Sequence, residues 1–152
     1  MTIEIRSARE ADLRAIVALL ADDPLGRDRE DASNPLPDAY RDAFREIAGQ
    51  PGNMVLVAVA ADRIVGCLQL TVIPGLTRRG MKRGQIEGVR VAADCRGRGL
   101  GEQLVRHAVA LCRKGGCGLV QLTTDRTRPD AHRFYESLGF VGTHVGMKLA
   151  LQ

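Results

Sequence analysis

The chain is 152 residues long, 45% hydrophobic and 26% charged, with a formal charge of +4 at neutral pH. That length suits one core and a single domain over 1–152, and the composition excludes a disordered or fibrous chain. The longest apolar run, Met54 to Ala61, is far short of the ~20 residues a spanning helix needs, and Met1-Thr2-Ile3-Glu4 is not an apolar signal region, so no membrane is expected.

Ile3 to Arg6 alternates and predicts a strand. Ser7-Ala8-Arg9-Glu10 reads as a capping box, with Ser7 as the cap, before a helix whose Leu13, Ile16, Val17, Leu19 and Leu20 share a face and which stops before Pro24. Residues 22–37 are charged and proline-punctuated and read as a loop. A second helix is predicted from Pro37 to Ala48, with Tyr40, Phe44 and Ile47 on one face and Gly49 at its end. Tyr40 and Phe44 either wall a pocket or pack in the core. Residues 54–60 and 64–73 predict a hairpin turning at Asp62-Arg63. The basic connection at 77–84 (Arg78, Arg79, Lys82, Arg83) reads as a solvated face or as an anion-recognising loop.

The central strand is predicted over Gln85–Ala92, and its glycine, Gly88, reads either as a bulge or as a close packing point. Gln85, Glu87 and Val89 alternate onto one face. The strand runs into Asp94-Cys95-Arg96-Gly97-Arg98-Gly99-Leu100-Gly101, after which Leu104, Val105, Ala108, Val109, Leu111 and Cys112 recur at helical spacing. A glycine-rich turn opening a helix aims unpaired N–H groups and the positive helix end at one point, which suits phosphate. The spacing is neither the dinucleotide Gly-x-Gly-x-x-Gly nor a P-loop ending in Gly-Lys-Ser/Thr. Arg113-Lys114-Gly115-Gly116 ends this helix. A parallel strand follows at 119–124, then a helix from Pro129 to Ser137 capped by Gly139, and two last strands at 140–143 and 145–149. The four cysteines form no Cys-x-x-Cys pair and read as reduced, buried small hydrophobes, and no metal is expected. His107, His132 and His144 are scattered and read as surface residues.

Arg96-x-x-Gly99-x-Gly101 resembles the acetyl-CoA-binding signature of the GNAT N-acetyltransferase superfamily. Ala131-His132-Arg133-Phe134-Tyr135-Glu136-Ser137-Leu138-Gly139-Phe140 is similar to that family's second motif, Ala-x-x-Phe-Tyr-x-x-x-Gly-Phe. Ile86-Glu87-Gly88-Val89-Arg90-Val91 resembles Ile-Glu-Asp-Val-x-Val of the glucosamine-phosphate acetyltransferases. The resemblance implies an α/β GNAT fold: a mixed sheet of about seven strands, splayed between the parallel fourth and fifth, flanked by about four helices. It implies acetyl-CoA as co-substrate, its pantetheine amides on the strand backbone at Val89, Arg90 and Val91. Its pyrophosphate would lie on Arg96, Gly97, Arg98, Gly99, Leu100 and Gly101. A backbone N–H near Val91 would serve as oxyanion donor, and Tyr135 as general acid at the cofactor sulfur. Arg128 stands where many relatives carry an Asn that touches the cofactor, and it could meet a phosphate instead.

An alkyl ammonium has a pKa of about 10, so acyl transfer to it at neutral pH needs a base. Glu87, nine residues before Arg96, is the candidate, either as that base or as a residue that only orients the amine. The expected function is N-acetylation of a primary amine on a small molecule or protein, in the cytoplasm. A homodimer is compatible with the resemblance, and nucleic acid is not an expected partner. The alternative is a non-catalytic acyl-CoA-binding or DNA-binding regulator. Against the DNA-binding form, no helix-turn-helix with a basic recognition helix is visible.

Overall fold

β-branched and aliphatic residues alternate through the middle of the chain, and they build a sheet around which the helices pack. The structure is a computed structural model and describes residues 1–152. Five strands lie in the order β1 (Glu4–Ser7), β2 (Asn53–Ala60), β3 (Arg63–Ile73), β4 (Lys82–Val91) and β5 (Cys117–Gln121). β1 to β4 pair antiparallel in sequence, and β4 and β5 are parallel. The β2–β3 hairpin turns at Ala61 and Asp62, whose φ of 47° and 61° are the two positive values of a turn that matches the right-handed twist of the strands. The turn is one residue earlier than predicted.

The helices are α1 (Leu13–Ala21), α2 (Gly26–Arg29), α3 (Asp38–Gly49), the irregular turn α4 (Thr77–Gly80), α5 (Leu100–Lys114) and α6 (Pro129–Ser137). α5 buries Leu100, Leu104, Val105, Ala108 and Cys112 against the sheet. It comes so close that a Cβ on Gly84 would overlap Cys112 Sγ, and one on Gly66 would stand 2.8 Å from Leu104 Cδ1. α1 packs on β3 and β4 from the opposite face. The core joins Leu56, Val65, Leu68, Leu70 and Ile86 of the sheet to Ile16 and Leu19 of α1 and to the buried face of α5. Cys67, Cys95 and Cys112 are buried and Cys117 half-buried, and burial pushes the Cys67 thiol up to about 12. No helix is long and apolar enough to cross a membrane.

Several expectations change. Ser7 belongs to β1 rather than capping α1. The carboxylate of Asp12 accepts the Arg9 N–H at 2.7 Å instead, and Arg6 locks that carboxylate in place at 2.7 Å. The 22–37 region contains the single turn α2, started by Asp23. β4 begins three residues earlier than predicted, because the basic connection ends in the compact turn α4. β5 is shorter than predicted, ending at Gln121.

The sheet has five strands, not seven. Residues 140–143 and 145–149 form no strand and pair with nothing in the chain. A strand exists only with a neighbour to accept its N–H groups, and this segment makes no backbone hydrogen bond to one. Gly88 is a bulge: its φ is +62°, and the β3–β4 register slips between Cys67 and Gln69. The extra residue reverses the side-chain alternation beyond it. Val89 and Val91 therefore turn toward α5, and Arg90 toward α1. The expectation that Val89 shares a face with Glu87 is wrong for this reason.

Candidate active site

β4 and β5 pair only from Lys82↔Cys117 to Gln85↔Gln121. Beyond that point β4 runs on to Val91 with no neighbour on its β5 side, so a gap opens between the two parallel strands. Ala92 N–H donates to Val65 O of β3 at 2.8 Å. By strand alternation the Val91 N–H points the other way, into the gap.

At the end of β4 a 3₁₀ turn, Ala93–Cys95, leads into the Arg96–Gly99 loop and then α5. Gly97 and Gly99 have φ of +74° and +78°, and a Cβ on either would meet nothing within 4 Å. Their glycine requirement is conformational, and the space beside them is open. The first intrahelical bond from this loop is Gln103 N–H to Gly99 O at 3.0 Å, and no backbone N–H from Gly97 to Glu102 has an acceptor in the protein. Six consecutive free donors at the positive end of a 15-residue helix form an anion cradle.

Gly101 serves packing: a Cβ there would lie 3.3 Å from Phe134 of α6. Leu100 turns into the core, 1% exposed. Arg98 is exposed with no partner. Arg96 bends back, donating from Nε to Val91 O at 3.1 Å and from its terminal nitrogen to Asp22 O at 3.3 Å. It ties the end of α1 to the end of β4.

Tyr135 of α6 is stacked edge-on between Phe134 and Phe140, with centroids at 5.0 and 5.8 Å. Its hydroxyl has no hydrogen-bond partner in the protein. Burial pushes the phenol above its ordinary value, against a downward pull from Arg90 and Arg128, so it keeps its proton at neutral pH. Glu87 is exposed on β4, opposite Gln69 of β3, and its carboxylate has no ion pair.

Asp23, just after α1, is the buried acid of this region, 9% exposed. Oδ1 accepts the N–H of Leu25 at 2.9 Å and of Gly26 at 2.7 Å, and a nitrogen of Arg128 at 3.1 Å. Arg90 Nε lies 2.7 Å from Oδ2, but its N–H misses the carboxylate, leaving a charge contact rather than a directed bond. Burial raises the Asp23 pKa, but the Gly26 N–H, Arg90 and Arg128 outweigh it and hold the carboxyl below its usual range.

Two guanidiniums around one carboxylate leave a net positive charge beside Tyr135. Arg90 and Arg128 thus both bring their side chains to Asp23. Asp23 is absent from the sequence reading. Its signal was the Asp-Pro step at 23–24, which favours a turn whose carboxylate accepts the following N–H groups. Two open surface hollows lie elsewhere, one between Glu10–Arg14 and Asn34–Pro37, the other beside Ala15–Asp22 and Arg63. Neither includes Glu87, Tyr135 or the 97–102 donors.

The sequence model of the Acetyltransferase (GNAT) family matches residues 14–140. This chain belongs to the GNAT acetyltransferase family. Glucosamine 6-phosphate N-acetyltransferase 1 of rice (Oryza sativa subsp. japonica) is 38% identical over 77% of this chain and 72% of its own length. Aminoalkylphosphonate N-acetyltransferase of Salmonella typhimurium is 30% identical over 97% of this chain and 91% of its own. A crystal structure described as a transcriptional regulator from Bacillus halodurans C-125 is 49% identical, with a TM-score of 0.96 over 99% of this chain and 100% of that one. That match covers the C-terminal segment as well. Family and relatives make this GNAT chain an N-acetyltransferase.

Proposed function

We propose that this GNAT enzyme moves the acetyl group of acetyl-CoA directly to the primary amine of a small molecule that also carries a phosphate or phosphonate. The free donors at 97–102 beside the β4–β5 gap carry the cofactor half of this reading. The cradle fits a diphosphate: six N–H groups converge, two glycines leave open space, and the helix end is positive. The backbone of Val89, Arg90 and Val91 borders the gap where a pantetheine arm would pair. Bound there, acetyl-CoA supplies the activated thioester.

The residues divide the work. Glu87 takes the ammonium proton, directly or through water, so that the nitrogen lone pair is free to attack. Val91 N–H donates to the oxygen on which negative charge builds. Tyr135 gives its hydroxyl proton to the departing sulfur. The acceptor half rests on the named relatives, whose acceptors pair an amine with a phosphorus oxyanion, and on the surplus positive charge of Arg90 and Arg128. The whole of 1–152 then acts as one acetyltransferase domain, a homodimer in the cytoplasm, with no metal in its chemistry.

A panel of amines with and without a phosphate or phosphonate, followed by release of the cofactor thiol, tests this. Turnover is expected to concentrate on the anionic amines. Equal turnover of neutral amines would remove the acceptor half, and no turnover of any amine would remove the whole.

The description of the Bacillus halodurans structure favours a second reading, a regulator that binds DNA. It predicts a salt-sensitive shift of duplex DNA by the pure chain, where an acetyltransferase alone predicts none.

A further inference from the structure

The basic connection at 77–84 has no part in the acetyl transfer proposed above. It stands at one end of the sheet. There β3 gives way to β4 (Ile73↔Arg83), β5 begins beside β4 (Lys82↔Cys117), and β2 starts opposite the end of β3 (Asn53↔Thr71). α5 ends at the same place, entering β5 through Gly115-Gly116. Met81 packs the connection onto β5, since a Cβ on Gly118 would lie 2.6 Å from its Cγ.

This end is positive without compensation. Arg78, Arg79, Lys82, Arg83, Arg113 and Lys114 gather there, and all but Arg83 are exposed. None of them forms an ion pair, whereas nine arginines elsewhere in the chain do. No Asp or Glu occurs in 47–61, 63–86 or 103–124, the stretches that build this end. An ordinary solvated face intersperses both signs.

Two independent features lie inside the patch. Arg78 and Arg79 are both left-handed, with φ of 53° and 61°, a conformation that costs any residue with a Cβ. A connection that only had to reverse would place glycine or asparagine there. Strain retained under two arginines marks their side chains as useful. Leu76, two residues earlier, is 96% exposed, more than any other large hydrophobic of the chain. An apolar tip thus stands within a ring of cations.

We infer that this end seats on an anionic membrane surface, with Leu76 entering the headgroup layer and the cations meeting lipid phosphates. The contact is peripheral and needs no spanning helix. Each cation near an anionic leaflet adds attraction that fades within about 10 Å, and the apolar tip supplies the second signal that reversible anchoring needs. Nucleic acid fits less well, because an apolar tip gains nothing against its phosphates and no aromatic side chain lies in these stretches to stack a base. The free donors at 97–102 follow the opposite end of β4. A seated chain therefore keeps its cofactor cradle turned to solvent.

Sedimentation of the pure chain with phosphatidylcholine vesicles, and with the same vesicles carrying phosphatidylglycerol, tests this without reference to turnover. Binding is expected to the anionic vesicles alone and should weaken as salt is raised. Arg78→Glu with Arg79→Glu changes exposed side chains, so the variant should keep its circular dichroism and lose about tenfold or more in vesicle affinity. Leu76→Asp should weaken binding too. No binding to anionic vesicles, or equal binding to neutral ones, would overturn the inference. So would a folded double variant that binds like the wild-type chain. Unchanged binding by Leu76→Asp would overturn it as well, because charge alone does not distinguish a bilayer from another polyanion. Tighter binding to duplex DNA than to the vesicles at the same salt would assign the patch to nucleic acid instead.

Discussion

Tyr135 offers the sharpest test at the scale of single residues. Its ring is fixed by Phe134 and Phe140, and its hydroxyl bonds to nothing in the protein. Tyr135→Phe therefore keeps the packing and removes only the proton donor. Steady-state kinetics should show kcat falling by about 10²-fold with the KM for acetyl-CoA nearly unchanged. An unchanged kcat would take Tyr135 out of the chemistry.

Asp23 makes a different prediction, on stability. Its folded pKa is depressed, so its contribution is present above the unfolded carboxyl pKa and lost as pH falls through the folded value. Wild-type stability in urea should drop as pH is lowered below about 4. Asp23→Asn should lose about 2–3 kcal/mol at pH 7, less than a fully buried pair because Arg128 is partly exposed, and should flatten that acid limb. Asp23 escaped the sequence reading because its role depends on Arg90 and Arg128, which lie far away along the chain.

Among the elements, α5 and its glycine-rich entry were legible, because apolar spacing, caps and turn residues all pointed one way. Gly84 tests the packing that follows. A methyl group there would overlap Cys112 Sγ. Thermal or urea unfolding of Gly84→Ala should show a loss of about 1–3 kcal/mol, the usual cost of overpacking. No loss would mean that α5 stands farther from β4 than the structure has it. Gly88 could be read as a bulge or as a packing point. The bulge was decided by register, which only the neighbouring strand supplies. Its consequence, Arg90 turned toward α1, follows from geometry that no spacing rule encodes. The last two strands were legible as pattern and wrong as pairing. The alternation is present, but the segment pairs with no strand of the chain.

Across the whole molecule, the family, the parallel pair and the glycine-rich turn with its free N–H groups could be read from two motifs in order. The acceptor could not, because the residues proposed to choose it, Arg90, Arg128 and Asp23, are brought together only by the fold, from β4, the approach to α6 and the loop after α1. Arg90→Ala should therefore raise the KM for a phosphorylated amine much more than for a neutral one, measured on the same amine panel. Equal changes would assign Arg90 to scaffolding alone.

The claim on which the rest stands is that the free N–H groups of 97–102 hold the cofactor diphosphate. Gly99 adopts φ of +78° with open space around it, so Gly99→Val disturbs the loop backbone without a clash. Calorimetric titration of acetyl-CoA into the folded Gly99→Val protein tests it most directly. Binding is expected to weaken by about tenfold or more, at least 1.4 kcal/mol. Affinity equal to that of the wild-type chain would contradict the account.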